Sequence, residues 1–527
     1  MIKTKNILTS LALVSVLSAC GQSSELNSPE IKVSQAASKN KTVEVDRSTT
    51  PNVVIFYIDD LGYGDLSSYG ATGVKTPEID RIANKGIRFT DGHSSAATCT
   101  PSRYSLLTGE HGFRNKAKIL KGDAPALIQP GKATLASMFK KAGYTTGVVG
   151  KWHLGLGNGN LDWNSDIKPG PLEIGFDYSF LLPATGDRVP TVYVENHNIV
   201  NLDKNDPITV SYKGKIGNMP TGYENPELLR FVADKQHNET IVNGVSRIGH
   251  MSGGTSAHWV DEDFATVFTD KAIDFIRESK DEPFFLFKSY HDIHVPRLPN
   301  DRFKDKSTMG VRGQAIAQMD WMTGRVIKEI EKLGLAENTL IIFTSDNGPV
   351  LLDGYFDSAI KLIGDHKPSG PYSGGKYSRL EAGTRVPTIA YWPGKIEPQV
   401  NDALVSQMDI YKSLAKLIGV DVAPNEAVDS LDQLSVWLGE TDQGRVDLLE
   451  ESLGNVALRH NNYKFIGKSK KKPSFIEYKK IRGGYEFVDQ LYDLAKDPGE
   501  MNNIAKQNPD KVKELRARLT QIVNGKY

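Results

Sequence analysis

Apolar and polar positions along the chain form blocks that predict strands preceded by helices. Residues 53–58 are an unbroken apolar, β-branched run, which is typical of a strand buried on both faces of a sheet. Similar runs at 284–287 and 339–343 each follow a segment with the apolar period of an amphipathic helix. This alternation indicates an α/β fold over residues 51–400, with a mostly parallel sheet flanked by helices.

The pattern changes near residue 400. We predict a helix over 404–419, short strands with turns between 455 and 498, and a terminal amphipathic helix over 509–523. These elements predict a smaller C-terminal α+β subdomain over 401–527. Earlier in the chain, residues 155–260 hold many Gly, Asn and Pro with little periodicity. Long loops of this kind commonly shape a substrate cleft.

Chemically reactive side chains follow directly after the predicted strands. In open parallel sheets, functional sites form outside the carboxyl ends of the strands, so these groups are expected to meet at one edge. They are Asp59 and Asp60, Lys151 and His153, His291 and His294, and Asp346 and Asn347. One polar strand end is ordinary, whereas four that converge indicate a functional site.

The overall charge excludes one class of partner. Lys and Arg together number 64, as do Asp and Glu, so the formal net charge is zero. A protein that binds nucleic acid through a general basic surface would carry a positive excess, so we expect no nucleic-acid partner. Any site for an anion must be built locally.

The first twenty residues have the features of an export signal. Two lysines precede an apolar stretch over 7–16 that is too short to span a bilayer. The following Leu-Ser-Ala-Cys resembles the lipobox of bacterial lipoproteins, which implies a signal peptide over 1–19 and lipidation of Cys20. An ordinary signal peptide with an accidental cysteine is the alternative. Polar residues 20–50 predict a flexible tether. We expect an exported protein of a Gram-negative outer membrane or periplasm, held at the membrane by a lipid anchor only.

The other cysteine, Cys99, lies where a helix is predicted to begin. Thr100 suits a cap, Pro101 the first helical position and Gly109 the helix end. Because free N–H groups at a helix start favour anions and Arg103 follows closely, the segment predicts a site for a tetrahedral oxyanion. The thiol has two direct interpretations, a low-pKa nucleophile or a buried structural cysteine. A cysteine-phosphatase loop is disfavoured, since its arginine lies six residues after the cysteine.

A third interpretation comes from a resemblance. "CTPSR" at 99–103 matches the Cys-x-Pro-x-Arg signature of type I sulfatases, in which the cysteine is converted to formylglycine (3-oxoalanine). Similar stretches are "DDLGYGD" (59–65), "GYTTGVVGKWHLG" (143–155), "HVP" (294–296), "SDNGP" (345–349), "GGKYSRLEAGTRVP" (374–387) and "LYDLAKDPGEMNNIA" (491–505). The resemblance spans about 52–505. It implies an alkaline-phosphatase-like fold, hydrolysis of sulfate esters, and a separate formylglycine-generating enzyme as maturation partner.

The acidic residues at the strand ends predict a site for a hard cation. Asp59, Asp60, Asp346 and Asn347 offer only oxygen ligands, which suit Ca²⁺ or Mg²⁺ and do not suit zinc or copper. The resemblance implies one Ca²⁺ at these positions, with the modified Cys99 completing its shell. The ion would polarise the sulfate ester.

The resemblance also implies roles for the remaining polar residues. The catalytic set that it implies is Cys99, Arg103, Lys151, His153, His294 and Lys376. Arg103 holds the hydrated aldehyde at position 99. Lys151, His153 and Lys376 bind sulfate oxygens, and His294 binds the substrate and protonates the leaving oxygen. A histidine suits that last step because its reference pKa is about 6.5.

The substrate class follows from the predicted location. An exported lipoprotein with an open cleft suits a sulfated polysaccharide or oligosaccharide, such as a carrageenan-like galactan or a glycosaminoglycan. Arg188 and His250, in the long loops, are candidate substrate ligands. Two other functions stay open. One is a phosphonate or phosphate monoester hydrolase of the same fold, and the other is a non-catalytic, lipid-anchored glycan-binding protein.

Overall fold

A ten-stranded sheet forms the centre of the computed structural model, which describes residues 50–525. The predicted signal peptide, Cys20 and nearly all of the predicted tether lie outside the described residues. Among the described residues, no helix combines the length and the apolar character that crossing a membrane requires.

Strands and helices alternate through the first two thirds of the described chain. Its strands are β1 (Asn52–Ile58), β2 (Ile87–His93), β3 (Thr145–Lys151), β4 (Tyr178–Leu182), β5 (Val194–Glu195), β6 (Asn198–Ile199), β7 (Thr209–Ser211), β8 (Ile241–Val242), β9 (Val245–Ser246), β10 (His250–Ser252), β11 (Phe284–Ser289), β12 (Thr339–Ser345), β13 (Thr388–Tyr391), β14 (Gln399–Ser406), β15 (Asp447–Ser452), β16 (Asn455–His460), β17 (Tyr463–Ile466) and β18 (Gln490–Asp493). Its α-helices are α1 (Pro77–Lys85), α2 (Cys99–Thr108), α3 (Leu135–Lys141), α4 (Phe264–Ser279), α5 (Gly310–Lys332), α6 (Ala359–Leu362), α7 (Ile410–Leu417), α8 (Leu434–Trp437), α9 (Ser474–Tyr478) and α10 (Pro509–Val523). The helix predicted over 509–523 is confirmed as α10.

The large sheet has the strand order β14-β2-β13-β12-β1-β11-β3-β4-β5-β6. Strand β1 lies between β11 and β12 and is parallel to both, with Val54 opposite Leu286 on one side and Ile341 on the other. Only β13 and β5 run against the direction of the other eight strands. The predicted α/β fold with a mostly parallel sheet is therefore confirmed.

Helices cover both faces of this sheet, as the apolar runs require. Alternate residues of β1 enter two different cores: Val53 belongs to the core that α2, α3 and α7 close, and Val54 to the core that α1, α4 and α5 close. Both side chains are fully buried. A strand with two apolar faces is stable only when both are covered, which explains why the sequence shows no polar alternation there.

A four-stranded antiparallel sheet, β15-β16-β17-β18, forms the C-terminal subdomain. Helix α10 packs on it through Leu515 and Ile522, which contact Leu458 and Phe465 in a small separate core. The predicted boundary at residue 400 falls within β14, a strand of the large sheet, and the small sheet begins at Asp447.

The helix predicted over 404–419 is partly wrong. Residues up to 406 belong to β14, and the helix α7 spans only Ile410–Leu417. Leu404 and Val405 pair with Asp91 and Gly92 of β2. Their apolar side chains are buried at the edge of the large sheet, and this tertiary pairing overrides the helical pattern that continues from α7.

Candidate active site

Cys99 is the first residue of α2, two positions before the predicted first turn. Thr98 is extended (φ −153°, ψ 148°) and occupies the cap position without a side-chain cap, and Gly109 ends the helix with φ 65°. The Cys99 Sγ lies 3.5 Å from the Asp59 Oδ1, and the residue is buried. Burial and the nearby Asp346 raise the pKa of the thiol well above its ordinary value. This environment does not favour a low-pKa thiolate nucleophile.

The predicted acidic residues converge below Cys99. Ligand atoms of Asp59, Asp60, Cys99 and His294 all lie within 4.8 Å of one another. The amide of Asn347 donates to the Asp60 Oδ1 at 2.7 Å. Burial raises the pKa of Asp60 to about 6. Burial alone would raise that of Asp59 too, but Lys151 lowers it well below its ordinary value. Carboxylates packed this closely repel one another unless a cation joins them.

The residues present fit a divalent cation. The Asn347 Oδ1 is buried and has no hydrogen-bond partner among the described residues, although buried amide oxygens are normally paired. It lies beside three buried carboxylates, those of Asp59, Asp60 and Asp346. An unpaired carbonyl oxygen among carboxylates is the donor set that Ca²⁺ and Mg²⁺ prefer. The arrangement does not discriminate between these two ions.

Three buried cations balance the carboxylates. The Lys151 Nζ lies 2.5 Å from the Asp59 Oδ2, and the Lys376 Nζ lies 3.0 Å from the Asp60 Oδ2. The Arg103 Nε donates to the Asp346 Oδ2 at 2.9 Å, and its Nη1 donates to the Lys151 carbonyl at 3.2 Å. The guanidinium also stacks over the Tyr57 ring at 5.3 Å. Arg103 is thus fixed from several directions, which suits the positioning of an anion.

Three histidines surround this cluster. His153 Nε2 lies 3.0 Å from the Leu120 carbonyl, and His294 Nδ1 lies 2.6 Å from the Val295 carbonyl. Each ring therefore has its other nitrogen available. Burial and the nearby lysines hold the pKa of both well below its ordinary value. His291 lies further back, with its Nδ1 3.8 Å from the Asp59 Oδ2, and neither of its ring nitrogens has a hydrogen-bond partner in the described chain.

Left-handed backbone occurs at four non-glycine residues at this edge of the sheet. Asp60, His153, Ile293 and Tyr377 have φ values of 59°, 55°, 82° and 70°. Left-handed backbone costs of order 1–3 kcal/mol at a non-glycine residue and persists only where the surroundings hold it. Asp60 and His153 are residues of the predicted site, Ile293 directly precedes His294, and Tyr377 directly follows Lys376.

A cavity of about 460 Å³ opens above the cluster, and we call it the catalytic cleft. Of the predicted residues, Cys99, His153, Arg188, His294 and Lys376 line it. His250 lies in β10, 3.4 Å from Glu239, and is not among the lining residues. The structure does not bring it together with the others, and its contact with substrate stays a prediction.

Several lining residues were missed from the sequence. Asp353 accepts from the Lys376 Nζ at 3.0 Å and also pairs with Lys479, which follows α9 in the C-terminal subdomain. On the other wall, Asp187 lies 2.6 Å from the Arg188 Nη1 and 3.3 Å from the His237 Nε2. Asp187 is adjacent to a predicted residue, which is a usable signal, but nothing in the sequence around Lys479 or His237 distinguishes them from loop polarity.

Comparisons with known proteins agree with this geometry. The sulfatase family profile matches residues 51–420, and a profile described as N-sulphoglucosamine sulphohydrolase, C-terminal, matches residues 376–525. An N-acetylgalactosamine-6-O-sulfatase of Bacteroides thetaiotaomicron is 48% identical over 489 residues, covering 92% of this chain and 96% of the relative. A steryl-sulfatase of Rattus norvegicus is 31% identical over 453 residues, covering 80% and 76%.

A solved structure described with the metabolism of multiple glycosaminoglycans by Bacteroides thetaiotaomicron is similar throughout. It superposes with a TM-score of 0.88 at 48% identity, covering 90% of this chain and 99% of that chain. The family match covers well over half of the chain, and the resemblance stated from the motifs is confirmed. The chain therefore belongs to the sulfatase family and is a sulfuric ester hydrolase.

Proposed function

We propose that this sulfatase hydrolyses the 6-O-sulfate ester of N-acetylgalactosamine units in a sulfated glycosaminoglycan. The proposal rests on one observation above all, the buried cluster of cations and carboxylates around Cys99 at the base of an open cleft. The choice of sugar rests on the relative that acts on N-acetylgalactosamine-6-O-sulfate and aligns over nearly its whole length. A cavity of about 460 Å³ accommodates a sulfated sugar ring.

The reaction requires two groups that this chain would hold. Formylglycine, made from Cys99 by a separate maturation enzyme, would supply an oxygen nucleophile, and Ca²⁺ held by Asp59, Asp60, Asp346 and Asn347 would polarise the ester. Mg²⁺ is the alternative ion. The remaining steps belong to the side chains of the cleft, which bind the ester and move its protons.

Lys151 and Lys376 bind the sulfate. Both ammonium groups are buried and pair with carboxylates of the cluster, so their charge is already desolvated, and Lys376 also lines the cleft. A preorganised cation stabilises developing negative charge more strongly than a solvated one, since nothing has to reorganise during the reaction. Arg103, fixed by Asp346, orients the reacting side chain at position 99.

His294 delivers the proton to the leaving oxygen. Its Nδ1–H donates to the Val295 carbonyl, which leaves Nε2 for the substrate. Burial and the positive charge of Lys376 keep its pKa low in the free protein. A bound sulfate ester offsets that positive charge and raises the pKa again, so His294 carries its proton when substrate is present. His153, with Nδ1 as its open acceptor, removes a proton from the nucleophile.

Arg188 binds the sugar. It lines the cleft, where its Nη1 is held by the Thr185 Oγ1 and the Asp187 Oδ1, both at 2.6 Å. Such pairing fixes the guanidinium and offers a donor beside an acceptor, which suits a sugar hydroxyl.

The test is sulfate release from a defined panel. The panel contains N-acetylgalactosamine-6-sulfate, its 4-sulfate isomer, N-acetylglucosamine-6-sulfate and a nitrophenyl phosphate diester, with the Cys99→Ala variant as blank. We expect release from the first compound at least tenfold faster than from the others. Faster phosphate-diester hydrolysis would favour the phosphohydrolase, and binding of the sulfated sugar without release would favour the glycan-binding protein. Peptide mass spectrometry of residue 99 checks the conversion to formylglycine.

We also propose that the chain is exported and lipid-anchored through Cys20. The support is the charged, apolar and lipobox-like sequence of residues 1–20. Metabolic labelling with an alkyne fatty acid should mark the wild type and not the Cys20→Ala variant. Labelling of the variant would contradict lipidation at this position. Fractionation of a Gram-negative host then tests the outer-membrane or periplasmic location.

A further inference from the structure

A second cavity adjoins the catalytic cleft. It has a volume of about 480 Å³ and shares two lining residues with the cleft, Ile119 and Leu453. Its walls are mainly apolar and include Phe113 and Pro101, and Lys116 and Lys118 stand at its edge. We call it the adjoining groove. The shared residues Ile119 and Leu453 place the groove directly beside the cleft, so a substrate longer than one sugar ring would extend towards it.

The lysines at this groove differ from the basic residues around them. Arg114 is paired with Asp429 and Lys132 with Glu110. In contrast, Lys116 and Lys118 are exposed and have no carboxylate partner in the described part of the chain. Lys121, which lines the cleft, also lacks one there and lies over the Tyr212 ring at 5.5 Å. Three unpaired ammonium groups within six residues thus mark a path from the cleft to the groove.

This local excess is notable in a chain with zero net charge. Surface lysines usually pair with acidic neighbours or point into bulk solvent, whereas these lie beside an apolar wall that belongs to a cavity. A pyranose ring has an apolar C–H face that packs on side chains such as Phe113 and Leu453. An acidic sugar adds a carboxylate that suits the ammonium groups. The groove therefore has the chemistry of a subsite for an acidic sugar.

We propose that the adjoining groove binds the sugar next to the sulfated one, and that this neighbour is a uronic acid whose carboxylate contacts Lys116 and Lys118. The inference rests on the proposed function, because the sulfated sugar occupies the catalytic cleft. Exposed ion pairs are individually weak and screened by salt, so the groove contributes to affinity for longer substrates and leaves the chemical step unchanged.

The experiment compares one variant with wild type on three substrates. The variant is Lys116→Gln/Lys118→Gln. The substrates are N-acetylgalactosamine-6-sulfate, the disaccharide in which a uronic acid is joined to that sugar, and the same disaccharide with its carboxyl group reduced to an alcohol. For the acidic disaccharide we expect kcat/KM to fall about three- to tenfold, mainly through KM. The other two substrates should stay within twofold of wild type.

A matched control removes two lysines elsewhere. Lys141 and Lys395 are exposed and, in the described residues, unpaired, and neither lines the cleft nor the groove. The Lys141→Gln/Lys395→Gln variant makes the same change in net charge and should treat all three substrates as wild type does. Equal losses on all three substrates in the groove variant, or no loss on any, would overturn the proposal.

A binding measurement separates this inference from the proposed function. Absence of sulfate release from every substrate by mature wild type would remove the proposed function. The groove is then tested by calorimetry with the unsulfated acidic disaccharide, which requires no turnover. We expect weaker binding to the groove variant than to wild type, by about three- to tenfold and less at 1 M salt. Equal affinities would overturn the subsite in that case as well.

Discussion

Two buried clusters of charged side chains in this protein have similar composition, but they differ in how completely their polar groups are paired. The catalytic cluster comprises Asp59, Asp60, Asp346, Lys151 and Lys376, at the carboxyl edge of the large sheet. The interface cluster comprises Asp91, Glu381, Arg385, Arg459 and Lys464, and it joins β2 of the large sheet to β16 and β17 of the small one. Each cluster contributes two carboxylates to a group of side chains close enough together to hold a metal ion, Asp59 and Asp60 with Cys99 and His294, and Asp91 and Glu381 with His93.

In the interface cluster every carboxylate meets several cations. Asp91 lies 2.9 Å from Arg459, 3.1 Å from Arg385 and 2.8 Å from the ring of His93. Although burial opposes it, Arg459 and Lys464 lower the pKa of Glu381 to about 2. These acids are fully ionised and fully partnered. A cluster of this kind connects two parts of a fold and has no capacity for another ligand.

The catalytic cluster is buried to the same degree but remains incomplete. Burial raises the pKa of Asp60 to about 6, and the Asn347 Oδ1 beside it has no partner among the described residues. Lys376 of this cluster lines the catalytic cleft beside Cys99 and His294, whereas no residue of the interface cluster lines the cleft or the adjoining groove. Burial alone therefore does not identify an active site, and unsatisfied donors and acceptors at a cavity do.

The largest expected effect is on activity alone. Cys99→Ala should lower kcat for sulfate release by at least about 1,000-fold, because the nucleophile is made from this side chain. The thermal midpoint should change little, since the substitution removes a single side-chain heavy atom. Sulfate release by purified, fully folded protein measures this. Retained turnover would place the nucleophile elsewhere.

A substitution in the interface cluster should lower the free energy of unfolding without changing activity. Arg459→Met leaves Asp91 and Glu381 short of a partner, and breaking a buried pair in this way costs about 3–5 kcal/mol of unfolding free energy. Activity per folded molecule should persist. Arg325→Met is the control, since Arg325 pairs with Asp270 at an exposed site, where the cost is about 0–1 kcal/mol. Equal midpoints for the two variants in denaturant titrations would contradict the comparison.

Calcium should distinguish the clusters directly. Added Ca²⁺ should stabilise metal-free wild type by about 2.7 kcal/mol at a hundredfold excess over its dissociation constant. Asp60→Asn should abolish this gain, because Asp60 belongs to the incomplete cluster. Asp91→Asn should retain it, even though the variant starts from a lower stability. Calorimetric midpoints with and without the ion provide the test, and loss of the gain in Asp91→Asn would refute the assignment.

Glu500, which is hydrogen-bonded to the interface cluster, should make stability depend on pH. Its Oε2 accepts from the Glu381 N–H at 2.8 Å. Burial and the charge of Glu381 raise its pKa to about 8, against an ordinary value of 4.5. The folded protein thus keeps a proton that the unfolded chain releases, so the contribution of Glu500 to stability is fully present below about pH 4.5 and is lost as pH rises towards 8. Glu500→Gln does not titrate.

The difference in unfolding free energy between Glu500→Gln and wild type should shift in favour of the variant from pH 5 to pH 8. We expect a shift of about 2 kcal/mol. One pKa unit is worth about 1.4 kcal/mol, and changes in the protonation of neighbouring groups compensate for part of the effect of Glu500. Denaturant titrations at the two pH values measure it. A difference that is independent of pH would show that Glu500 is ionised in the folded protein.

The smallest effect should come from Lys479. It shares Asp353 with Lys376, and without it the full charge of Asp353 would draw Lys376 away from the ester. Lys479→Gln should lower kcat/KM about tenfold, which is equivalent to about 1.4 kcal/mol, mainly through KM. Lys479→Arg should recover most of the loss. Lys472→Gln, which removes an exposed pair with Glu486 in the same segment, is the control. An unchanged KM in Lys479→Gln would remove it from the site.

The large sheet and the convergence of its strand ends were predictable because local signals agree with the tertiary structure. The run from Val53 to Ile58 is apolar on both faces, and the sheet covers both faces. For the same reason, the sequence predicts Asp59 and Asp346 at one edge of the sheet, where the structure has them. Helix α2 begins two residues earlier than expected: Thr98, in extended backbone and without a side-chain cap, takes the cap position that was expected of Thr100.

The contributions of the C-terminal subdomain were not predictable. Lys479 and Asp353 are 126 positions apart, and Arg459 and Asp91 are 368 apart. Partnerships of this kind are set by how the two sheets pack, and they leave no period in a single sequence. The apolar pattern of residues 404–406 predicts a helix, and no local signal reveals their partner strand, β2, which lies more than 300 positions earlier.

The strand order has a consequence for how the chain is made. Strand β1, one of the first elements to leave the ribosome, is hydrogen-bonded to β11 and β12, whose residues come more than 200 positions later. Such long-range pairing delays folding, because the early strand has no partners until the later ones exist. Strand β1 therefore cannot take its place between β11 and β12 until those later strands have been synthesised. During that interval the thiol of Cys99, which folding then encloses, is accessible to any enzyme that modifies nascent chains.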